Sequence, residues 1–223
     1  MILDILKDGL EYARTNSNHI IIFYLGVLIF PLILIEGYSY NIIENCLNGM
    51  INNRDKLTDM TINSESFMNG LKLLILKISY YIPEIILLLA VYYIPRVNYV
   101  ILMIILVVLT IISYYVSEIA SICMVESGLF KEGYNFSRIC EILKSVGLTY
   151  VELIVMTFII LLGIFTVMAI IMGFVTLLST ISTTLFVITS TLMLLLYFVL
   201  MVVIIPVYVL FKNRTIVSVY NLK

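Results

Sequence analysis

Long apolar runs alternate along the chain with short segments that hold most of its charges. A helix that crosses a membrane needs about 20 consecutive, mostly apolar residues, and such runs occupy 18–40, 70–94, 97–126 and 148–211. The last run is long enough for two helices, and its most polar stretch, the Ser/Thr-rich segment 179–184, is a suitable turn. The pattern therefore predicts five membrane spans, at residues 18–40, 70–94, 97–126, 148–176 and 185–211.

The segments outside these spans carry the charges and are amphipathic. Residues 1–17 are predicted to form an interfacial helix, because their charged positions fall on one helical stripe. Segments 41–69 and 127–147 are predicted to be cytoplasmic connections. A second amphipathic helix is expected to start near Ser64, which is a suitable N-cap.

The clearest amphipathic segment is 136–147, where apolar residues recur every three or four positions. Twelve residues of helix reach only about 18 Å, which is too short to cross the hydrocarbon layer. We therefore expect a short helix lying along the membrane surface, capped by Asn135 and ended by a bend at Gly147.

Composition supports the same fold class. Apolar residues make up 62% of the 223 residues and charged residues 12%, and the mean hydropathy is +1.14. Soluble domains have about 45–50% apolar and about 25% charged residues. The sequence thus predicts an all-α polytopic membrane helix bundle that forms a single membrane domain over residues 1–223. Its net charge of −1 excludes a basic footprint for nucleic acids.

The basic residues predict an orientation in the cell membrane. Cytoplasmic flanks are enriched in lysine and arginine, and ten basic residues flank one side: Arg54, Lys56, Lys72, Lys77, Lys131, Arg138, Lys144, Lys212, Arg214 and Lys223. The other side has Lys7, Arg14 and Arg96. This predicts a multi-pass protein with its N-terminus outside and its C-terminus in the cytoplasm. As an alternative, a re-entrant hairpin at Pro31 would bring the N-terminus inside.

Charged residues inside apolar runs are the candidates for a functional site, because charge in a bilayer is costly. Glu84 lies midway along 70–94, beside Pro83, which can kink the helix. Its expected hydrogen-bond partners are Tyr80 and Tyr81, one turn earlier, with Lys77 next on the same face.

Further acids fall near the inner ends of the predicted spans, and they belong either to interfacial ion pairs or to a polar vestibule between helices. They are Glu36, Glu118, Glu126 and Glu152. The candidate intramembrane polar site therefore consists of Glu84, Lys77, Tyr80, Tyr81, Glu118 and Glu152.

We expect neither a catalytic group nor a metal or other cofactor. The four aspartates all lie outside the predicted spans, and the single histidine, His19, has no evident companion. Cys46, Cys123 and Cys140 are too few and too widely spaced for a disulfide framework or a zinc site. All three are predicted to lie at the cytoplasmic face.

One stretch resembles a known family. It reads Glu126-Ser127-Gly128, then Phe130, then Tyr134-Asn135-Phe136 and Ile139. This is similar to the hallmark of an uncharacterised, mostly archaeal, integral-membrane family, domain of unknown function 4013. The run from Leu57 through Gly70-Leu71-Lys72 to Pro83, and the pair Gly37-Tyr38, resemble the same family.

The sequence departs from the family pattern at a few positions. Asn135 stands where the family has an acid, and Glu84 follows Pro83 where the family is usually apolar. Met60 and Asn63 stand where tryptophans are expected. The resemblance implies a fold class and no reaction.

Two functional hypotheses follow from these features. The first is a non-enzymatic structural or accessory membrane bundle, whose partners are the lipid bilayer and either other proteins or further copies of the chain. The alternative is a small-solute or ion transporter or channel subunit that uses Glu84.

Overall fold

A computed structural model describes residues 1–17, 31–47, 63–93, 99–179 and 182–223. Every regular element in these ranges is a helix, which confirms the all-α class. The α-helices are α1 (Ile2–Thr15), α2 (Pro31–Leu47), α3 (Ser64–Tyr80), α4 (Ile82–Tyr93), α5 (Tyr99–Ser127), α6 (Phe136–Ser179) and α7 (Thr183–Tyr220). A short 3-10 helix, Phe130–Tyr134, joins α5 to α6.

Burial divides the molecule into two zones. The first, which we name the head, contains nearly all of the buried side chains. It comprises α1, α2, α3, the 3-10 helix, and residues 113–127 of α5, 136–154 of α6 and 207–220 of α7. The second, which we name the leg, exposes most of its large apolar side chains. It comprises α4 and residues 100–112 of α5, 155–177 of α6 and 184–195 of α7.

Within the described residues, two helical segments are long and apolar enough to cross a membrane, Val100–Ser127 and Phe136–Ile160. Helices α3 and α4 add a third if the bent pair forms one span, and the apolar segment Thr184–Leu195 is shorter. The described helices thus supply two or three candidate spans rather than the five predicted. The first predicted span, 18–40, lies mostly outside the described residues.

The predicted span 70–94 consists of two helices that meet at an angle of 43°. The break is at Tyr81, whose backbone N–H donates to the carbonyl of Ile78 at 3.0 Å. Pro83 lies in the first turn of α4, where its missing N–H leaves no bond unmade. Helix α3 also begins earlier than predicted. Asn63, and not Ser64, is the N-cap, since its side chain accepts from the Ser66 N–H at 2.7 Å.

The prediction of a separate surface helix over 136–147 is wrong, because α6 runs without a break for 44 residues. Asn135 caps it as expected, accepting from the Arg138 N–H at 3.3 Å. Gly147 does not end the helix, because one glycine destabilises a helix by only about 1 kcal/mol. In addition, a stripe of buried side chains continues along α6 on both sides of Gly147. That stripe contains Ile139, Ile142, Val146, Tyr150 and Leu153.

The other predicted boundaries also shift. The connection predicted over 41–69 contains the end of α2 and the start of α3. Helix α6 ends at Ser179 and α7 begins at Thr183, within the Ser/Thr-rich segment, but α7 then continues to Tyr220 instead of ending at 211. Packing in the head extends these helices past their apolar runs.

Two glycines allow α2 and α3 to cross in close contact. A Cβ atom at Gly70 would overlap the carbonyl oxygen of Ile33, and one at Gly37 would overlap that of Ser66. Both obstacles are backbone atoms, which no side-chain rotation can move. These are the glycines of the Gly37-Tyr38 and Gly70-Leu71 pairs noted in the sequence.

Helix α1 packs on the C-terminal part of α7. Gly9 faces Phe211 and Thr215, and Asp8 forms an ion pair with Arg214. Residues in contact cannot lie on opposite faces of a bilayer. The contact places α1 beside the C-terminal part of α7, whereas the sequence predicts the two ends of the chain on opposite faces of the membrane. No local pattern in the sequence indicates this docking.

Candidate functional site

Four charged side chains from four helices meet inside the head. The Lys77 Nζ atom lies 2.7 Å from Glu36 Oε2 and 3.2 Å from Glu118 Oε1. The Lys212 Nζ atom lies 2.6 Å from the same Glu118 oxygen. We name this set, Glu36, Lys77, Glu118 and Lys212, the ionic chain. It links α2, α3, α5 and α7.

The ionic chain is buried and balanced. The Glu118 side chain is only 2% exposed, and it lies between two lysines that are themselves largely covered. Two positive and two negative groups leave no net charge. Because a buried charge is tolerated only with a partner, each member requires the others.

Tyrosines cover the α7 end of the ionic chain. The Lys212 ammonium lies 5.9 Å from the centre of the Tyr114 ring, and the hydroxyls of Tyr114 and Tyr208 are 3.4 Å apart. The cavity beside them has a volume of about 20 Å³ and is also lined by Thr157 and Thr215. This is room for one water molecule and not for a solute.

The structure brings together two of the six residues predicted for the site, Lys77 and Glu118. Glu152 is exposed on α6 and has no part in the ionic chain. Glu84 lies in the first turn of α4, where its side chain is buried at 5% exposure. Neither of its carboxylate oxygens has a hydrogen-bond partner among the described residues.

The predicted hydrogen-bond partners of Glu84 are engaged elsewhere or make no bond to it. Tyr80 donates to the carbonyl of Gly133 at 2.6 Å, and Lys77 is taken by Glu36 and Glu118. Tyr81 makes no hydrogen bond to the Glu84 carboxylate. The predicted bonds are therefore wrong, because α3 ends at Tyr80 and the bend changes the relation of these residues to Glu84.

Sequence reasoning missed the buried pair between Asp8 and Arg214. The Arg214 Nε atom donates to Asp8 Oδ2 at 2.7 Å, and its guanidinium lies 5.3 Å from the centre of the Tyr12 ring. Burial by itself would lower the pKa of Arg214, but the interactions with Asp8 and Cys46 together outweigh it, and the pKa is raised. The sequence analysis counts Arg214 only among the basic residues that flank the cytoplasmic side, because it follows an apolar run.

Lys212, Asn213 and Arg214 are consecutive, and all three reach into the head. Lys212 pairs with α5 and Arg214 with α1. The Asn213 side chain is buried between these two positions, and its amide atoms make no hydrogen bond within the described part of the chain. The only signal for this segment was the polar tripeptide itself, which is also typical of a membrane-exit flank.

The family hallmark stretch forms the connection between α5 and α6. Gly128 ends α5 with a φ of +69°, a conformation that glycine adopts readily. Its N–H donates to the Val125 carbonyl at 3.2 Å. Tyr134 stacks on Tyr80 with ring centres 6.2 Å apart. With the Asn135 cap, each of these residues has a local structural role.

Glu126 joins this connection to the C-terminus. It forms ion pairs with Arg138 and with Lys223, the latter at 3.2 Å, and it accepts a hydrogen bond from Tyr220. Burial raises the pKa of the Tyr220 hydroxyl, and the bond to Glu126 raises it further. Tyr220 therefore stays protonated and donates throughout the neutral range.

No group of three His, Cys, Asp or Glu side chains that could hold a metal ion occurs in the described ranges. Cys46 and Cys123 are buried and Cys140 is exposed, and none of the three forms a disulfide within the described residues. His19 lies outside the described residues.

A protein-family model matches the chain. The model described as "Protein of unknown function (DUF4013)" matches residues 20–177, which is more than half of the chain. In the comparisons with curated proteins and with solved structures, nothing matched. The match includes the hallmark stretch and the Gly37 and Gly70 crossing, and on it the chain belongs to the DUF4013 family.

Proposed function

We propose that the protein is a multi-pass cell-membrane protein that acts without catalysis, as a structural or accessory bundle with a packed cytoplasmic head. One observation carries this proposal. The ionic chain is neutral, closed and surrounded by packed side chains, beside a cavity of about 20 Å³. Such a cluster suits holding helices together better than binding or converting a substrate.

The leg is the membrane-embedded part in this proposal. Helix α6 has 44 residues and α7 has 38, which correspond to lengths of about 66 and 57 Å. The hydrocarbon layer is only about 30 Å thick, so both helices extend well beyond it. We propose four crossings, by α3 with α4, by α5, by α6 and by α7. The first predicted span, 18–40, lies mostly outside the described residues and is not counted among these crossings.

The docking of α1 supports this orientation. With α1 beside α7, Lys7 and Arg14 join the ten basic residues already assigned to the head side. Only Arg96, between α4 and α5, remains on the other side. This strong bias favours a cytoplasmic head.

Thiol labelling tests the orientation. Cys140 is exposed in the head, whereas Cys46 and Cys123 are buried and serve as internal controls. An impermeant thiol reagent should label Cys140 in inside-out vesicles and leave it unlabelled in intact cells. Labelling of Cys140 from outside would overturn the proposed topology.

The accessory role is tested by replacing the whole ionic chain. We expect a variant with Met at Glu36, Lys77, Glu118 and Lys212 to fold, because apolar groups of similar volume can replace a buried ion network. Native gels of solubilised membranes would compare its assembly with that of the wild type. The same complex, larger than a monomer, is expected for both. A monomeric wild type, or a folded variant that has lost its complex, contradicts the proposal.

A second candidate function, a small-solute or ion transporter subunit, is favoured by one observation. Glu84 is buried and its carboxylate has no hydrogen-bond partner among the described residues. Transport sites are often found at broken helices, and Glu84 follows the break at Tyr81. In proteoliposomes, this function requires a pH-dependent flux that Glu84→Gln abolishes. The control is Glu152→Gln, which changes an exposed acid on α6.

A further inference from the structure

Two buried glutamates have opposite surroundings. The Glu118 side chain is 2% exposed, and its Oε1 atom lies 3.2 Å from the Lys77 Nζ atom and 2.6 Å from that of Lys212. Glu84 is 5% exposed, and neither of its carboxylate oxygens has a hydrogen-bond partner among the described residues. The two glutamates are thus buried to a similar extent and differ in their partners.

The two helices that pack against α4, which are α3 and α5, offer no partner to Glu84. Four ionisable groups on these helices make their bonds elsewhere: Lys77, Tyr80, Tyr114 and Glu118. Tyr81, at the break between α3 and α4, and Tyr115, on α5, also make no hydrogen bond to the Glu84 carboxylate. An ionised Glu84 would therefore be an uncompensated buried charge.

The start of α4 does not supply the missing compensation. Glu84 lies in the first turn of α4, where the helix dipole favours a negative charge. However, Pro83 has no N–H to donate, and the Ile85 N–H donates to the Tyr81 carbonyl at 3.1 Å. The dipole alone is a weak effect compared with the cost of burying an unpaired carboxylate. Because protein atoms cover both oxygens, the remaining means of removing the charge is a proton.

We propose that Glu84 binds a proton and keeps it at neutral pH, whereas Glu118 is ionised. A bound proton removes the charge of a buried carboxylate without a second side chain. The inference deepens the second candidate function, because it names the proton as the species bound at Glu84. It also rests on the proposed membrane placement of the leg, in which lipid keeps water away from α4.

Infrared spectroscopy of the purified protein tests the proposal, because a carboxylic acid and a carboxylate absorb at different frequencies. The detergent must contain no ester groups, since ester carbonyls absorb close to carboxylic acids. At neutral pH, the spectrum of the wild type minus that of Glu84→Gln should contain the carbonyl band of one carboxylic acid. The control is Glu152→Gln, which changes an exposed acid, and its difference spectrum should contain only carboxylate bands.

Thermal unfolding of the variants gives a second measurement. Glutamine is a neutral isostere of a protonated glutamate, so Glu84→Gln should leave the unfolding midpoint unchanged. Glu118→Gln removes an ionised group from between two lysines and should lower the midpoint.

Three outcomes overturn the proposal. The first is loss of carboxylate bands, in place of the acid band, in Glu84→Gln. The second is a raised midpoint for Glu84→Gln, which would mean that the wild type carries an unpaired buried charge. The third is a large fall in that midpoint, which would mean that the charged form of Glu84 has a partner.

Failure of the proton proposal can be told apart from failure of the proposed functions. The membrane placement is judged by the labelling of Cys140, which does not depend on the protonation of Glu84. Transport is judged by flux in proteoliposomes, and the acid band of Glu84 is expected with or without flux.

Discussion

The head and the leg satisfy their polar groups in different ways. In the head, side chains bond across helices, as in the pairs Glu118 with Lys212 and Asp8 with Arg214. In the leg, hydroxyls bond within their own helix, as Thr166 does to the Leu162 carbonyl and Thr191 to that of Val187. A helix surrounded by lipid must satisfy its polar groups internally. These leg hydroxyls are satisfied within their own helices, whereas the charged side chains of the head depend on contacts between helices.

The largest loss of stability is expected when the central residue of the ionic chain, Glu118, is replaced. Glu118→Gln leaves two buried lysines without their shared carboxylate, and we expect a loss of about 3–5 kcal/mol in the free energy of unfolding. Unfolding of the purified protein in detergent would measure it. The control Glu152→Gln should stay within about 0.5 kcal/mol, because Glu152 is exposed. Equal stability of both variants would refute the assigned role of Glu118.

A pair of leucine truncations compares the apolar parts of the two zones. Leu73→Ala removes a fully buried side chain from the head and should cost about 2–5 kcal/mol. Leu194→Ala removes an exposed side chain from the leg and should change stability by less than about 0.5 kcal/mol in detergent. Similar losses would mean that the leg is packed as tightly as the head.

Glycine-to-alanine substitutions are expected to change stability in opposite directions in the head and in the leg. Gly70→Ala pushes a methyl group into the backbone of α2, and overpacking of this kind costs about 1–3 kcal/mol. Gly163→Ala meets nothing within 4 Å in the leg and should stabilise the helix by up to about 1 kcal/mol. Thermal unfolding of the two variants would show the difference. Stabilisation by Gly70→Ala would contradict the close crossing of α2 and α3.

The smallest effect concerns the helix caps. Asn135→Ala removes the cap of α6 and should cost about 1 kcal/mol. Ser182, at the start of α7, makes no side-chain cap hydrogen bond, so Ser182→Ala should cost less. Chemical denaturation can resolve the two values. A larger loss of stability for Ser182→Ala than for Asn135→Ala would contradict this assignment of the two caps.

The sequence predicted what depends on local pattern. The apolar runs identified the leg, Asn135 was recognised as a cap, and Pro83 marked the bend between α3 and α4. Lys77 and Glu118 were both among the six candidates for the polar site, and the structure places them 3.2 Å apart.

The remaining features depend on contacts between distant segments. Lys212 and Arg214 were predicted only as basic residues that flank a span, whereas they form ion pairs with α5 and α1 in the head. Gly147 was read as a bend, although packing of Val146 and Tyr150 in the head keeps α6 continuous. Neither feature can be predicted from the neighbouring residues in the sequence, because both depend on contacts with distant segments.

The tripeptide Lys212-Asn213-Arg214 constrains how α7 can move. Successive helical residues differ in direction by about 100°, so Lys212 and Arg214 point to clearly different sides of the axis. Rotating α7 about its axis, or sliding it by one residue, would break the pairs with Glu118 and Asp8 together. The two ion pairs thus fix both the rotation and the axial position of α7 relative to α1 and α5.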